Sequence, residues 1–155
     1  MNAPVDSPEI GREITAAGYR TNVHDHGEGG FPLMMIHGSG PGVTAWANWR
    51  LVIPELAKHR RVVAPDMLGF GYSERPEDQV YNRERWVKHA IGVMDELGLE
   101  QVDLVGNSFG GEGQTFAFDF FTKIGHPLSQ NILVGINQIG DLDPLLPKKP
   151  INMAF

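Results

Sequence analysis

Apolar residues in this chain fall into short continuous runs separated by glycine, proline and charge. Leu33-Met34-Met35-Ile36 lies between Pro32 and Gly38. Arg61-Val62-Val63-Ala64 is closed by Pro65, and Val102-Asp103-Leu104-Val105 is closed by Gly106. Runs of this kind, without polar alternation, suit strands covered on both faces, as in a parallel sheet. Trp86, Ala90, Val93, Met94 and Leu97 recur at helical spacing, which predicts a helix over 83–97 with Gly98 as its stop. A shorter helix is predicted over 49–58, with Leu51, Val52 and Leu56 inward and Pro54 weakening its start. Tyr19 to His24 reads as an early strand, 27–30 as a turn, and 1–12 as a polar lead-in. Strand and helix alternate, so the expected fold is α/β, with a mostly parallel, doubly wound sheet and right-handed crossovers.

In such sheets, ligands bind beyond the C-terminal ends of the strands. Three loops leave that edge: His37 to Gly42, Asp66 to Ser73, and Gly106 to Gly111. The third reads Gly106-Asn107-Ser108-Phe109-Gly110, a GxSxG between a strand and a stretch without proline up to Ile124. A serine forced onto that tight turn exposes its hydroxyl at the sheet edge. This is the nucleophile elbow of α/β-hydrolases. The following helix start favours negative charge at the same spot. The first loop is glycine-rich, so its backbone can approach a substrate oxygen closely. The amides of Ser39 and Phe109 are the candidate oxyanion donors. Asp66 reads as a structural cap for neighbouring amides.

Composition narrows the partners. The 155 residues suffice for one core, and the net charge of −6 argues against a nucleic-acid partner. No cysteine is present, which excludes disulfides, thiolate metal sites and a cysteine nucleophile. The start lacks the pattern of a secretory signal, and no apolar run approaches a membrane span. His24-x-His26 is a weak metal-ligand spacing. No metal and no cofactor are expected, and the partner is a small-molecule substrate.

HGSGPGVTAWANWR (37–50), VVAPDMLGFGYSERP (62–76) and DLVGNSFGG (103–111) together resemble the meta-cleavage-product hydrolases of aromatic degradation. The likeness is carried by residues 1–111. It implies a cytoplasmic, usually homo-oligomeric enzyme that needs no cofactor. Its implied reaction is hydrolysis of a carbon–carbon bond in a ring-fission product of the 2-hydroxymuconic semialdehyde kind. In that family the dienol substrate is ketonised, and a serine then attacks the ketone to give an acyl-enzyme. By motif, Ser108 is the nucleophile and Ser39 and Phe109 supply the oxyanion amides. Asn48, Asn107, Gly38 and Gly40 are the substrate-binding candidates. An asparagine can donate to a dienolate without adding a titrating charge. Asn48 is also readable as a helix cap, and Asn107 as a turn former.

Beyond Gly111 the motifs fade. Residues 1–111 are thus expected to form an N-terminal hydrolase core, and 112–155 a divergent tail with a helix and a strand, then irregular chain. The cap domain, the last strands and the family's later aspartate and histidine have no counterpart here. His126 would sit about 25 Å from the serine along a helix. Asp141 or Asp143 could serve as an acid without a histidine to orient. His37 reads as ordering its own loop rather than as a base, and His24, His26, His59 and His89 as surface or packing residues. The alternatives to the hydrolase are an inactive truncated or frameshifted fragment and a general carboxylesterase.

Overall fold

The structure, a computed structural model, describes residues 7–107 and the backbone of 132–134. Among the described residues six strands form one mixed sheet: β1 (Arg12–Ala16), β2 (Tyr19–His26), β3 (Leu33–Ile36), β4 (Val62–Pro65), β5 (Asp103–Gly106) and β6 (Ile132–Val134). Their spatial order is β1-β2-β4-β3-β5-β6. The four strands from β4 to β6 run parallel, whereas β1 and β2 pair antiparallel with each other and β2 with β4. The expected parallel sheet is therefore present with an antiparallel hairpin added at one edge.

That hairpin includes a strand, β1, that the apolar pattern does not announce. Only Ile14 and Ala16 of β1 are buried. Its turn is Ala17-Gly18, with φ of 51° and 86°. Positive φ at both positions matches the twist that two-residue hairpins require. The lead-in before β1 is tied down from Ser7 onward. Gly11 N–H donates to Asn22 Oδ1 at 2.8 Å, Asn22 Nδ2 donates to the Glu9 carbonyl at 2.9 Å, and Tyr72 Oη donates to Glu9 Oε2 at 2.8 Å.

Strand residues alternate between two cores because successive side chains point to opposite faces. Met34, Ile36, Val63 and Leu104 join Val87, Ala90, Val93 and Met94 of helix α3 (Arg83–Glu96). Leu33, Met35, Val62, Ala64 and Val105 meet α1 (Ala45–Trp49) and α2 (Ile53–Leu56) on the other face. α3 starts where Asn82 Oδ1 accepts from Arg85 N–H at 2.9 Å, and Gly98 follows its end at φ 67°. Asp103, a charge inside a buried strand, is matched by Arg60, whose Nη2 donates to Asp103 Oδ2 at 2.5 Å.

The single helix expected over 49–58 is two short ones. Pro54 has no N–H for the carbonyl at position 50, so the ladder cannot pass through and the proline sits in the first turn of α2. α1 begins four residues earlier than expected because Thr44 caps it. Among the described residues no helix is long and apolar enough to cross a membrane.

Candidate active site

Parallel register brings three loops to one edge. Leu33 faces Val62 across β3 and β4, and Leu33 to Ile36 face Asp103 to Gly106 across β3 and β5. The chain leaves these strands on the same side at His37, Asp66 and Asn107. Asn107 N–H donates to the Ile36 carbonyl at 3.0 Å, which sets the start of the GxSxG turn beside the start of the glycine loop. At Gly106 nothing among the described residues lies within 4 Å of where a Cβ would stand. Ser108 and Phe109 themselves lie outside the described residues, as do His126, Asp141 and Asp143.

Asn48 joins the first loop to the third. Thr44 has extended backbone, and its Oγ1 accepts from Ala47 N–H at 2.9 Å, which starts α1. One turn on, Asn48 is half-buried, and its Oδ1 accepts from both Gly38 N–H and Asn107 Nδ2, each at 3.0 Å. A backbone N–H can only donate, so the Asn48 oxygen faces Gly38 and Asn107 and its NH2 group points elsewhere. Asn48 is thus in direct contact with both other candidates, Gly38 and Asn107. Gly38 is engaged at both backbone groups, because its carbonyl also accepts from His37 Nδ1 at 2.6 Å. A substrate contact to the Gly38 backbone would compete with these bonds.

Ser39 and Gly40 are exposed. They line a cleft of about 1430 Å³ between loops 39–44 and 69–72, together with Asn22 and Tyr72. The cleft meets the candidate site at Ser39 and Gly40, and Gly38, Asn48 and Asn107 do not line it.

His37 is fully buried and used at both ring nitrogens. Nδ1 carries the proton donated to Gly38, and Nε2 accepts from Met67 N–H at 2.9 Å. Burial lowers its pKa, against the pull of the Gly38 carbonyl and Asp66. A neutral imidazole bonded at both ends orders this loop and is not placed to take a proton from a nucleophile. His89, read from the sequence as a surface or packing residue, lies in the core. Its Nδ1 accepts from Leu68 N–H at 3.2 Å, and its Nε2 donates to Thr21 Oγ1 at 2.8 Å. The consecutive amides of Met67 and Leu68 are thus satisfied by two buried histidines. The rings of His24 and His26 stack with centroids 6.1 Å apart, and among the described residues no three His, Cys, Asp or Glu side chains gather as metal ligands.

Asp66 carries more than the capping that its strand-end position suggests. It is fully buried. Oδ1 accepts from Ala45 N–H at 2.7 Å, and Oδ2 accepts from Asn22 Nδ2 and Tyr72 N–H, both at 2.9 Å. Its carbonyl accepts from Ser73 Oγ at 2.6 Å. Gly71, at φ 51°, lies so close that a Cβ there would strike the Asp66 carboxylate. The glycines of DMLGFGYS are the sequence signal for this crowding, although nothing in the spacing says that Ala45 is a partner.

Residues 32–137 match the family profile described as alpha/beta hydrolase fold. This chain belongs to that family, and the parallel strands feeding one loop-lined edge agree with it. Within it, the chain is 79% identical over 111 residues to a 2-hydroxymuconate semialdehyde hydrolase of Pseudomonas sp. (strain CF600), covering 72% of this chain and 39% of that protein. It is 55% identical over 149 residues to a 2-hydroxymuconate semialdehyde hydrolase of Pseudomonas putida, covering 94% of this chain and 49% of the relative. Among solved structures, a mutant of the meta-cleavage product hydrolase CumD from Pseudomonas fluorescens IP01, complexed with acetates, superposes with a TM-score of 0.71 at 50% identity. That match covers 81% of this chain and 43% of the other. The chain therefore spans less than half the length of these relatives. The profile and the P. putida alignment carry the likeness beyond Gly111, further than the three motifs take it.

Proposed function

We propose that this chain carries the oxyanion and nucleophile half of a serine-dependent hydrolase that cleaves a carbon–carbon bond in a meta-ring-fission product. The observation that carries this is the Asn48 oxygen clasping Gly38 and Asn107 at the edge where β3 and β5 end. Ser108 follows Asn107 directly in sequence. Its oxygen attacks the ketone carbon next to the scissile bond. The Ser39 and Phe109 amides take the resulting oxyanion, and donors of this kind are worth roughly 3–4 kcal/mol each. The carbon–carbon bond then breaks, the departing dienol carbon takes a proton, and water releases the acyl group from Ser108. Asn48, with its NH2 group unused by Gly38 and Asn107, and Asn107 hold the polar end of the dienolate. Gly40 leaves room beside Ser39. His37 and His89 are bonded at both ring nitrogens, so neither is free to serve as the base for Ser108. The substrate is a small organic anion of the 2-hydroxymuconic semialdehyde class, and the setting is the cytoplasm.

The test is decay of the yellow ring-fission chromophore with the purified chain and with Ser108→Ala. Slow decay, abolished by Ser108→Ala, supports the reading. Decay that is unchanged in Ser108→Ala sinks the assignment, and absence of decay in both favours a non-catalytic half. Short nitrophenyl esters, run in parallel, separate a general carboxylesterase from a carbon–carbon hydrolase.

A further inference from the structure

Asp66 and Asn48 lie at opposite ends of the same single-turn helix. The Asp66 carboxylate holds the first N–H of α1, at Ala45, while Asn48 near the other end holds Gly38 and Asn107. A helix of five residues has too few internal bonds to keep its own place. Its position is set by what grips it. At the N-terminal end that grip is Thr44 and Asp66, and Asp66 is itself fixed from β2 by Asn22 and from its own loop by Tyr72. The buried carboxylate has three N–H donors on its two oxygens, and no arginine or lysine is bonded to it among the described residues. Both oxygens must accept for this arrangement to hold.

We propose that Asp66 is a positioning residue for the candidate oxyanion loop, acting through α1 and Asn48 on Gly38. The functional weight of this rests on the hydrolase reading, but the coupling itself does not. Asparagine at position 66 has one acceptor oxygen. If that oxygen keeps Asn22 and Tyr72, an NH2 group faces the Ala45 N–H and pushes the start of α1 away. Asn48 then swings with the helix, and the Gly38 N–H loses its acceptor.

Backbone hydrogen exchange on the purified 155-residue chain tests this without any turnover, so its failure is separable from failure of the hydrolase reading. In Asp66→Asn the Gly38 amide is expected to exchange about tenfold faster, while ladder amides of β3 such as Met35 change far less. Ala45→Pro deletes the donor from the other side. Proline is accepted at a first helical position, and the extended Thr44 before it suits proline. It should release Gly38 to the same degree, which keeps the test open if Asp66→Asn does not fold. In an Asn48→Ala background Gly38 is already released, so Asp66→Asn should add little there. Equal acceleration of Gly38 and Met35 would mean general destabilisation and would overturn the proposal. So would a full additional tenfold effect of Asp66→Asn on top of Asn48→Ala.

Discussion

His89 makes the stability of this chain depend on pH in a way that one substitution removes. The ring is fully buried and neutral, accepting from Leu68 N–H and donating to Thr21 Oγ1. Burial, with a smaller contribution from His37, pushes its pKa down from 6.5 to about 4. A protonated ring would turn an N–H toward the Leu68 N–H. The unfolded chain binds this proton near pH 6.5 and the folded chain only near pH 4, so the unfolded state holds more protons in between. The stabilisation is complete above about pH 6.5 and is lost as the pH falls toward 4. At 1.36 kcal/mol for each pH unit, the whole interval is worth about 3 kcal/mol, and the part between pH 7 and pH 5 about 2 kcal/mol. Urea unfolding at pH 7 and pH 5 measures this directly. The native chain should lose about 2 kcal/mol more over that interval than His89→Gln, which has no ring to protonate. His89→Gln is expected to be weaker at pH 7 by roughly 1–3 kcal/mol, because the Leu68 amide loses its acceptor. If both proteins weaken equally between pH 7 and pH 5, the account of His89 as a neutral buried strut is wrong.

Two further substitutions probe the edge hairpin. Ala17 occupies a left-handed position at φ 51° in an exposed turn, where asparagine is the preferred residue before glycine, so Ala17→Asn should raise the unfolding free energy by about 0.5–1 kcal/mol in urea titration. Gly92 in α3 lies against the Ala16–Ala17 backbone, so Gly92→Ala forces helix and hairpin apart; thermal unfolding should show a loss of about 1–3 kcal/mol.

What the sequence made legible follows from which signals are local. β3, β4 and β5 were readable because a strand covered on both faces is apolar along most of its length, with Asp103 of β5 the exception that Arg60 matches, and α3 because fourteen residues give its periodicity room. β1 was not, since an edge strand with two buried side chains leaves almost no pattern. The break between α1 and α2 was written in Pro54 and Thr44, but the weight of Leu51 as an inward residue concealed it, and Leu51 is 70% exposed. At the site, the three loops and the residue types were visible as motifs. That the Asn48 oxygen bonds Gly38 and Asn107 was not, because it depends on the register of β3 against β5 and on where α1 starts. Asp66 was legible as a strand-end cap but not as the anchor of α1, because its partner Ala45 is 21 residues away and contributes only a backbone N–H.

We propose that Ser108, the next residue after the Asn48–Asn107 clasp, is the one that reacts. Rapid acid quench of the chain mixed with a 2-hydroxymuconic semialdehyde-type substrate, followed by proteolysis and mass measurement, tests it most directly. The account predicts a covalent acyl group on the peptide containing Ser108, absent from Ser108→Ala. An acyl group carried by another residue, or retained in Ser108→Ala, would contradict it.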